Sequence, residues 1–490
     1  MNIKEAKIEI KHTVQAYLSK DEFGQYKISR QNQRPLLLMG PPGIGKTQIM
    51  EQVARECKIG LVAYTITHHT RQSAIGLPFI QEKEYQGKKM NITEYTTSEI
   101  IASIYESMEK TGLNEGILFI DEINCVSETL APTMLQFLQN KMFGNQSIPE
   151  GWVIVAAGNP PEYNKSVREF DMVTLDRVRY MNVEADYKIW KEYAFSKHLH
   201  PMILSYLELK PNRFYKVQTS IDGMEFVTAR GWEDLSHLID LYDSMHIDVT
   251  QEVIEEYIHD EDIAEDVAAY SLLYKKYEDD YGILSILNGD VSTTIYQRLW
   301  KADFDERISV VSLLLDGIHK KLQIYFDLQQ LVDGWYAFLK KYRKEIETIS
   351  YDEQIKKYEE KWNQNKKTGL YNTSDITISR RLLSCLKQVI IDPDLSNQEA
   401  FSLAREPFEK ARMQMEKAED IALCSLNHAF TFMENAFEQG QEMVVFVTNL
   451  SLSNLSSLFL SEHNVVAYDT YKEKLLIGTR KQEILEQLNH

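Results

Sequence analysis

The segment PLLLMGPPGIGKT, Pro35 to Thr47, constrains this chain more than any other stretch. Leu36 to Met39 is a short apolar run that reads as a buried strand, and GPPGIGKT follows at once with the GxxxxGK[ST] spacing of a phosphate-binding loop. Gly40, Gly43 and Gly45 let the backbone turn tightly so that its N–H groups face an anion, and the helix opening near Lys46 adds its positive end. Lys46 is placed to reach the β and γ phosphates, and Thr47 to set its hydroxyl on a magnesium ion. These residues predict a nucleoside triphosphate site.

The second signal is GILFIDE, Gly116 to Glu122. Ile117 to Ile120 form a run suited to a strand buried on both faces, and it ends in two carboxylates. Asp121 is the expected magnesium partner, and Glu122 the group that polarises an attacking water. Trp152 to Ala157 predicts another strand, followed by GNPP, where the amide of Asn159 faces the γ-phosphate or the water. In DRVR, Asp176 to Arg179, one arginine is expected to reach a neighbouring subunit's site; Arg177 is favoured and Arg179 is the alternative. Thr228 reads as an N-cap, which puts Arg230 in the first turn of a helix, able to turn back toward the phosphates.

Composition narrows what surrounds this site. A chain of 490 residues divides into two to four domains. Its net charge of −19 argues against general affinity for nucleic acid or anionic membrane. The N-terminus lacks the apolar stretch of a signal peptide and no later segment is apolar enough to span a bilayer, so a cytoplasmic protein is expected. Cys57, Cys125, Cys385 and Cys424 show no paired spacing and read as reduced structural residues. His68 and His69 are adjacent, a poor arrangement for one metal ion on an extended chain, and their loop suits contact with a subunit or a remodelled partner better.

Helices are expected over 3–19, 48–58, 98–110 and 128–141, with strands at 61–66 and 90–95. From Val183 the pattern becomes helical, with a helix beginning near Phe226. Further helices are expected over 304–326, 380–390 and 406–437, with a long charged helix or hairpin over 331–367 and a break at 369–375. Met413, Met415, Phe430, Phe432, Met433 and Phe437 read as core. In the tail, strands are expected at 443–448, 465–468 and 475–477, with helices at 451–460 and 481–488.

Taken together, GPPGIGKT, ILFIDEIN (117–124), AAGNPP (156–161), LDRVRY (175–180) and TARGWEDLS (228–236) resemble a MoxR-like AAA+ ATPase over about residues 30–245. The family's usual DEINRA stands here as DEINCV, so a role for the missing arginine does not carry over. The resemblance implies an α/β P-loop AAA+ core (1–182) and a helical lid (183–290); the C-terminal half is longer than the family's compact lid, and its pattern reads as a mostly helical extension (291–440) and a small α/β appendage (441–490). It also implies ATP and Mg2+ as cofactors, with Lys46 and Thr47 in Walker A, Asp121 and Glu122 in Walker B, Asn159 as sensor 1, Arg177 as the arginine finger and Arg230 as sensor 2. Members typically form hexameric rings, remodel other proteins, and many work with a von Willebrand factor A domain partner. Remodelling driven by ATP hydrolysis is thus the expected activity. A nucleotide-gated scaffold with slow turnover and a nucleic-acid motor are the alternatives, the latter disfavoured by the acidic charge.

Overall fold

Four consecutive apolar residues, Leu36–Met39, form β1, and all four side chains are buried. Such continuous burial belongs to a parallel strand covered on both faces. The other strands of the N-terminal region are β2 (Gly60–Thr65), β3 (Pro78–Tyr85), β4 (Lys88–Tyr95), β5 (Gly116–Asp121), β6 (Met142–Phe143), β7 (Gln146–Ser147), β8 (Trp152–Gly158) and β9 (Arg179–Asn182). Five of them make one parallel sheet in the order β2-β5-β8-β1-β9. β3 with β4 and β6 with β7 form antiparallel hairpins.

This computed structural model describes residues 1–474 except 69–71, 73, 75, 86–87, 144–145, 164–166, 168, 220–223, 368–372, 390, 393–394 and 439. The chain divides into two compact units. The first holds Met1–Ile189 together with Thr228–Arg230 and Gln364–Tyr371. Its first helix, Ile3–Tyr17, opens on a capping box between Asn2 and Glu5 and buries Ala6, Ile10, Val14 and Tyr17. The helix after β1, Lys46–Cys57, buries Ile49, Met50, Val53 and Ala54. Beyond β1, Leu118, Ile120, Phe137, Trp152 and Ile154 belong to one apolar core that holds the sheet.

The second unit, Trp190–Val227, Gly231–Asn363 and Asn372 onward, is mostly helical. A hairpin of β10 (Lys216–Thr219) and β11 (Met224–Val227) precedes the helix Ala229–Ser244. Its spine is the 41-residue helix Phe304–Lys344, which buries an apolar stripe from Ile308 to Tyr342 and packs on the equally long Asn397–Phe437. The fold is therefore an α/β AAA+-type core, a helical lid and an extended, mostly helical C-terminal region.

Several local expectations change. The helix expected from Glu128 begins at Ala131, and Phe226 lies in β11, ahead of the helix that starts at Ala229. Of the two forms expected for 331–367, the unbroken helix gives way to the broken one, with the span divided between Phe304–Lys344 and Tyr351–Lys367. Met413 is exposed, whereas Phe430, Phe432, Met433 and Phe437 are buried as expected. In the tail, Met443–Thr448 is helical, within Gln441–Leu452, and 466–474 is helical rather than a strand at 465–468. The helix buries Met443, Phe446, Val447 and Leu450 at helical spacing and leaves Val444 and Thr448 exposed. The expected elements at 475–477 and 481–488 lie outside the described residues, as do 369–372 of the break expected at 369–375, whose last three residues already belong to the helix Thr373–Gln388. No single described helix is long and apolar enough to cross a membrane; Gln441–Leu452 and Asn454–Glu462 reach that hydropathy only together, across an 87° bend.

Candidate functional site

The sheet order decides what meets at its C-terminal edge. β8 lies between β1 and β5, with Met39 level with Gly158 and Ile120 level with Ala156. The loop leaving β1, the carboxylates ending β5 and Asn159 just past β8 therefore emerge side by side, where ligands bind in open α/β sheets.

Within the loop, Gly43 (φ +74°) and Gly45 (φ +93°) hold left-handed backbone that side-chain-bearing residues resist. Gly40 is pressed against the carbonyl of Val183, where a Cβ would stand 2.5 Å from the oxygen. Lys46 opens the following helix with only 8% of its surface exposed. Its ammonium donates to the carbonyls of Gly40 (2.7 Å) and Pro41 (2.8 Å) and to Oδ1 of Asn159 (2.8 Å). Burial lowers its pKa to about 8; Asp121 and Glu122 oppose that shift and Arg230 reinforces it. Three oxygens thus converge on one cation, as phosphate oxygens would.

Thr47 Oγ1 donates to Asp121 Oδ2 at 3.0 Å, and the other carboxylate oxygen of Asp121 accepts from the backbone N–H of Glu122 at 2.9 Å. A hydroxyl beside a carboxylate is a hard oxygen donor set of the kind Mg2+ takes. Glu122 holds φ +57°, left-handed backbone that costs a non-glycine residue about 1 kcal/mol or more. That strain ends β5 abruptly and starts the turn carrying Asn124.

Asn124 was not among the residues singled out from sequence. It is 2% exposed, its Nδ2 donates to the Asn159 carbonyl (2.7 Å), and its Oδ1 accepts from the Asn159 N–H (3.3 Å). Lys46, Asn159 and Asn124 therefore form one hydrogen-bonded line from the loop to the turn after β5. Only its place two residues past Glu122 hinted at this. A Cβ at Gly158 would come within 2.5 Å of the Asn124 oxygen, so the line leaves no slack.

Arg230 sits in the first turn of Ala229–Ser244, as expected. A Cβ at Gly43 would lie 3.0 Å from Thr228 Cβ and 3.4 Å from Arg230 Cβ, so Thr228–Arg230 pack on the loop. The two arginines of DRVR part company. Arg179, in edge strand β9, ion-pairs with Glu9 and donates to Thr13 Oγ1 at 2.7 Å, which ties it to the first helix. Arg177 ends the short helix Met172–Arg177, is exposed, and donates to Gln139. It does not join the cluster of Lys46, Asp121 and Asn159.

Among the described residues no group of three or more His, Cys, Asp or Glu is arranged to hold a metal ion. His69 and the side chain of His68 lie outside them. All four cysteines are free thiols.

Strand order, glycine loop, buried lysine and the Thr47–Asp121 pair define a P-loop nucleoside triphosphatase. Residues 36–175 match the AAA family, the ATPase family associated with various cellular activities, and no curated protein matches the chain. The chain therefore carries an AAA+ ATPase domain, which supports ATP binding, hydrolysis and ATP-driven conformational activity in general.

Proposed function

We propose that this protein is a MoxR-like AAA+ ATPase that hydrolyses ATP to remodel or mature a partner protein, working as an oligomeric ring, with a hexamer as the expected form. The observation that carries the reading is the line Lys46–Asn159–Asn124 beside the Thr47–Asp121 pair, because it joins the phosphate loop to the groups that report on the γ-phosphate. Lys46 exchanges its loop carbonyls for phosphate oxygens, and Asn159, released from Lys46, holds the γ-phosphate or the water. Thr47 and Asp121 would hold Mg2+, which when bound neutralises phosphate charge. Glu122 takes the proton of the attacking water.

Two exposed features support work on other chains. Beside Arg177, Met172 and Val173 are 86% and 57% exposed, an apolar face suited to a neighbouring copy whose site Arg177 would complete. The hairpin of β3 and β4 shows Phe79, Ile80 and Met90 to solvent, which fits contact with a remodelled partner. A von Willebrand factor A domain protein is the partner the resemblance proposes. Arg230 opens the helix whose next residues belong to the helical unit, so a change at the phosphates has a covalent route into that unit.

The test separates binding from hydrolysis. Glu122→Gln should keep ATP affinity and lose turnover by about two to three orders of magnitude, while Lys46→Ala loses binding. Partner maturation that persists with Glu122→Gln would replace this reading with a nucleotide-gated scaffold.

A further inference from the structure

The N-terminal unit holds a cavity of about 490 Å³ that the nucleotide reading does not use. Part of its lining is one face of the helix Ala131–Asn140, where Thr133, Gln136 and Gln139 recur at helical spacing and Asn140 ends the last turn. Lys141 and β6 continue that wall, and Arg30 joins it from the turn Arg30–Asn32. The rings of Phe137 and Phe143 stack at 4.0 Å, which fixes β6 against the helix. The volume is that of a small-molecule site.

The lining contains two cations and no acid. Lys141 is only 3% exposed, a rare position for a lysine unless a carboxylate pairs with it. None does among the described residues. Its ammonium donates to the Arg30 carbonyl at 2.7 Å, and the Arg30 guanidinium donates to the Ile148 carbonyl at 3.0 Å. Carbonyls satisfy hydrogens without cancelling charge. Burial and the neighbouring guanidinium push the lysine's pKa down to about 8, as expected of two like charges with no counterion between them. Lys141 also caps the C-terminal end of its helix, where the backbone dipole favours a cation, but that gain is small beside the cost of burying an ammonium.

The groups around that buried charge keep accessible surface. Arg30, Thr133 and Gln139 are half-buried, and Gln136 and Asn140 are exposed. Beyond its bond to Ile148, the Arg30 guanidinium has further N–H groups uncommitted among the described residues. The oxygen of Gln139 accepts from Arg177, which leaves its amide N–H groups as donors. The cavity therefore offers donors and positive charge, with no carboxylate in its wall to answer them.

We propose that this cavity binds a small polyanion, a ligand carrying two or more phosphate or carboxylate groups. The Arg30 guanidinium takes one oxyanion by charge-assisted hydrogen bonds, and Gln139 with its helix neighbours donates to the rest. Lys141 needs no direct contact, because an anion at Arg30 offsets its charge through the low dielectric of the interior.

The phosphate loop would compete for the same ligands, so the test uses the full chain carrying Lys46→Ala, without Mg2+. Calorimetric titration with tripolyphosphate and with citrate separates phosphate from carboxylate as the preferred group. The expected result is saturable binding of one anion per chain, weakened at least about tenfold by Arg30→Gln and by Lys141→Met. A net charge of −19 repels anions in general, so saturable uptake reports a built site. Arg30→Gln alters a half-buried side chain and keeps the test readable where Lys141→Met fails to fold. Arg34→Gln, at an exposed arginine outside the cavity, should leave binding intact. Absence of saturable binding by both anions would overturn the proposal, as would binding that Arg30→Gln leaves unchanged or that Arg34→Gln weakens equally.

Discussion

At the scale of single residues, Lys46 shows how a binding group is held ready at a cost. Lowering an ammonium from 10.5 to about 8 by burial corresponds to roughly 3 kcal/mol. The sign follows from linkage: the unfolded chain keeps that proton up to about 10.5, the folded chain loses it above about 8. Lys46 therefore subtracts stability below about 8, and the penalty fades as pH rises through that window. A bound triphosphate reverses the shift, because its negative oxygens favour the charged lysine. Nucleotide binding above about pH 8 should thus take up a proton, and affinity should fall by up to about tenfold per pH unit. Titration calorimetry in buffers of different ionisation enthalpy reads the uptake directly. Lys46→Arg, which stays protonated, should abolish the uptake; an unchanged uptake would assign it to another group.

At the scale of elements, the edge strand β9 and the short helix before it carry the two arginines that sequence could not separate. Both lie near the end of the core with an acid beside them, and only pairing distinguishes them. Arg179→Ala removes its contacts with Glu9 and Thr13, which hold β9 to the first helix. Since the side chains of the ion pair, Arg179 and Glu9, are 37% and 40% exposed, the loss should be about 1 kcal/mol or less in chemical denaturation, with turnover retained. A collapse of turnover with unchanged stability would return the trans role to Arg179. The same contrast explains what was legible elsewhere. β1, β5 and β8 were readable because strands buried on both faces are written as unbroken apolar runs, and the site motifs hang on their ends. β3 escaped because PFIQEKEY is a mostly solvent-facing hairpin strand rich in polar residues, and β10 because KVQT holds a single apolar residue. Met443–Thr448 misled in the opposite direction: MVVFVT has strand composition, and only tertiary burial along one helical face overrides it. Asn124 was invisible because its role depends on β8 lying beside β5, a neighbourhood set by sheet order.

At the scale of the whole molecule, the position of Arg177 sets the argument for assembly. The cluster around Lys46 holds a loop, two carboxylates, an asparagine and Arg230, yet the arginine expected to stabilise the transferred phosphoryl group stands elsewhere, exposed beside Met172 and Val173. On the proposed reading, a neighbouring chain would bring that arginine to the site. Turnover per subunit should then rise with protein concentration, and Arg177→Ala should lower the plateau by about two to three orders of magnitude while leaving ATP affinity nearly unchanged. Concentration dependence alone would also follow from mere stabilisation by association, so the decisive measurement mixes two inactive proteins. A subunit with Arg177→Ala retains Glu122, and one with Glu122→Gln retains Arg177; where the first supplies the site and the second the arginine, a complete centre forms. Recovery of turnover on mixing requires that the two residues act from different chains. Failure to recover, with assembly of the mixture verified by sedimentation, would place Arg177 in its own chain's support of the helix Met172–Arg177 and remove the basis for a shared site.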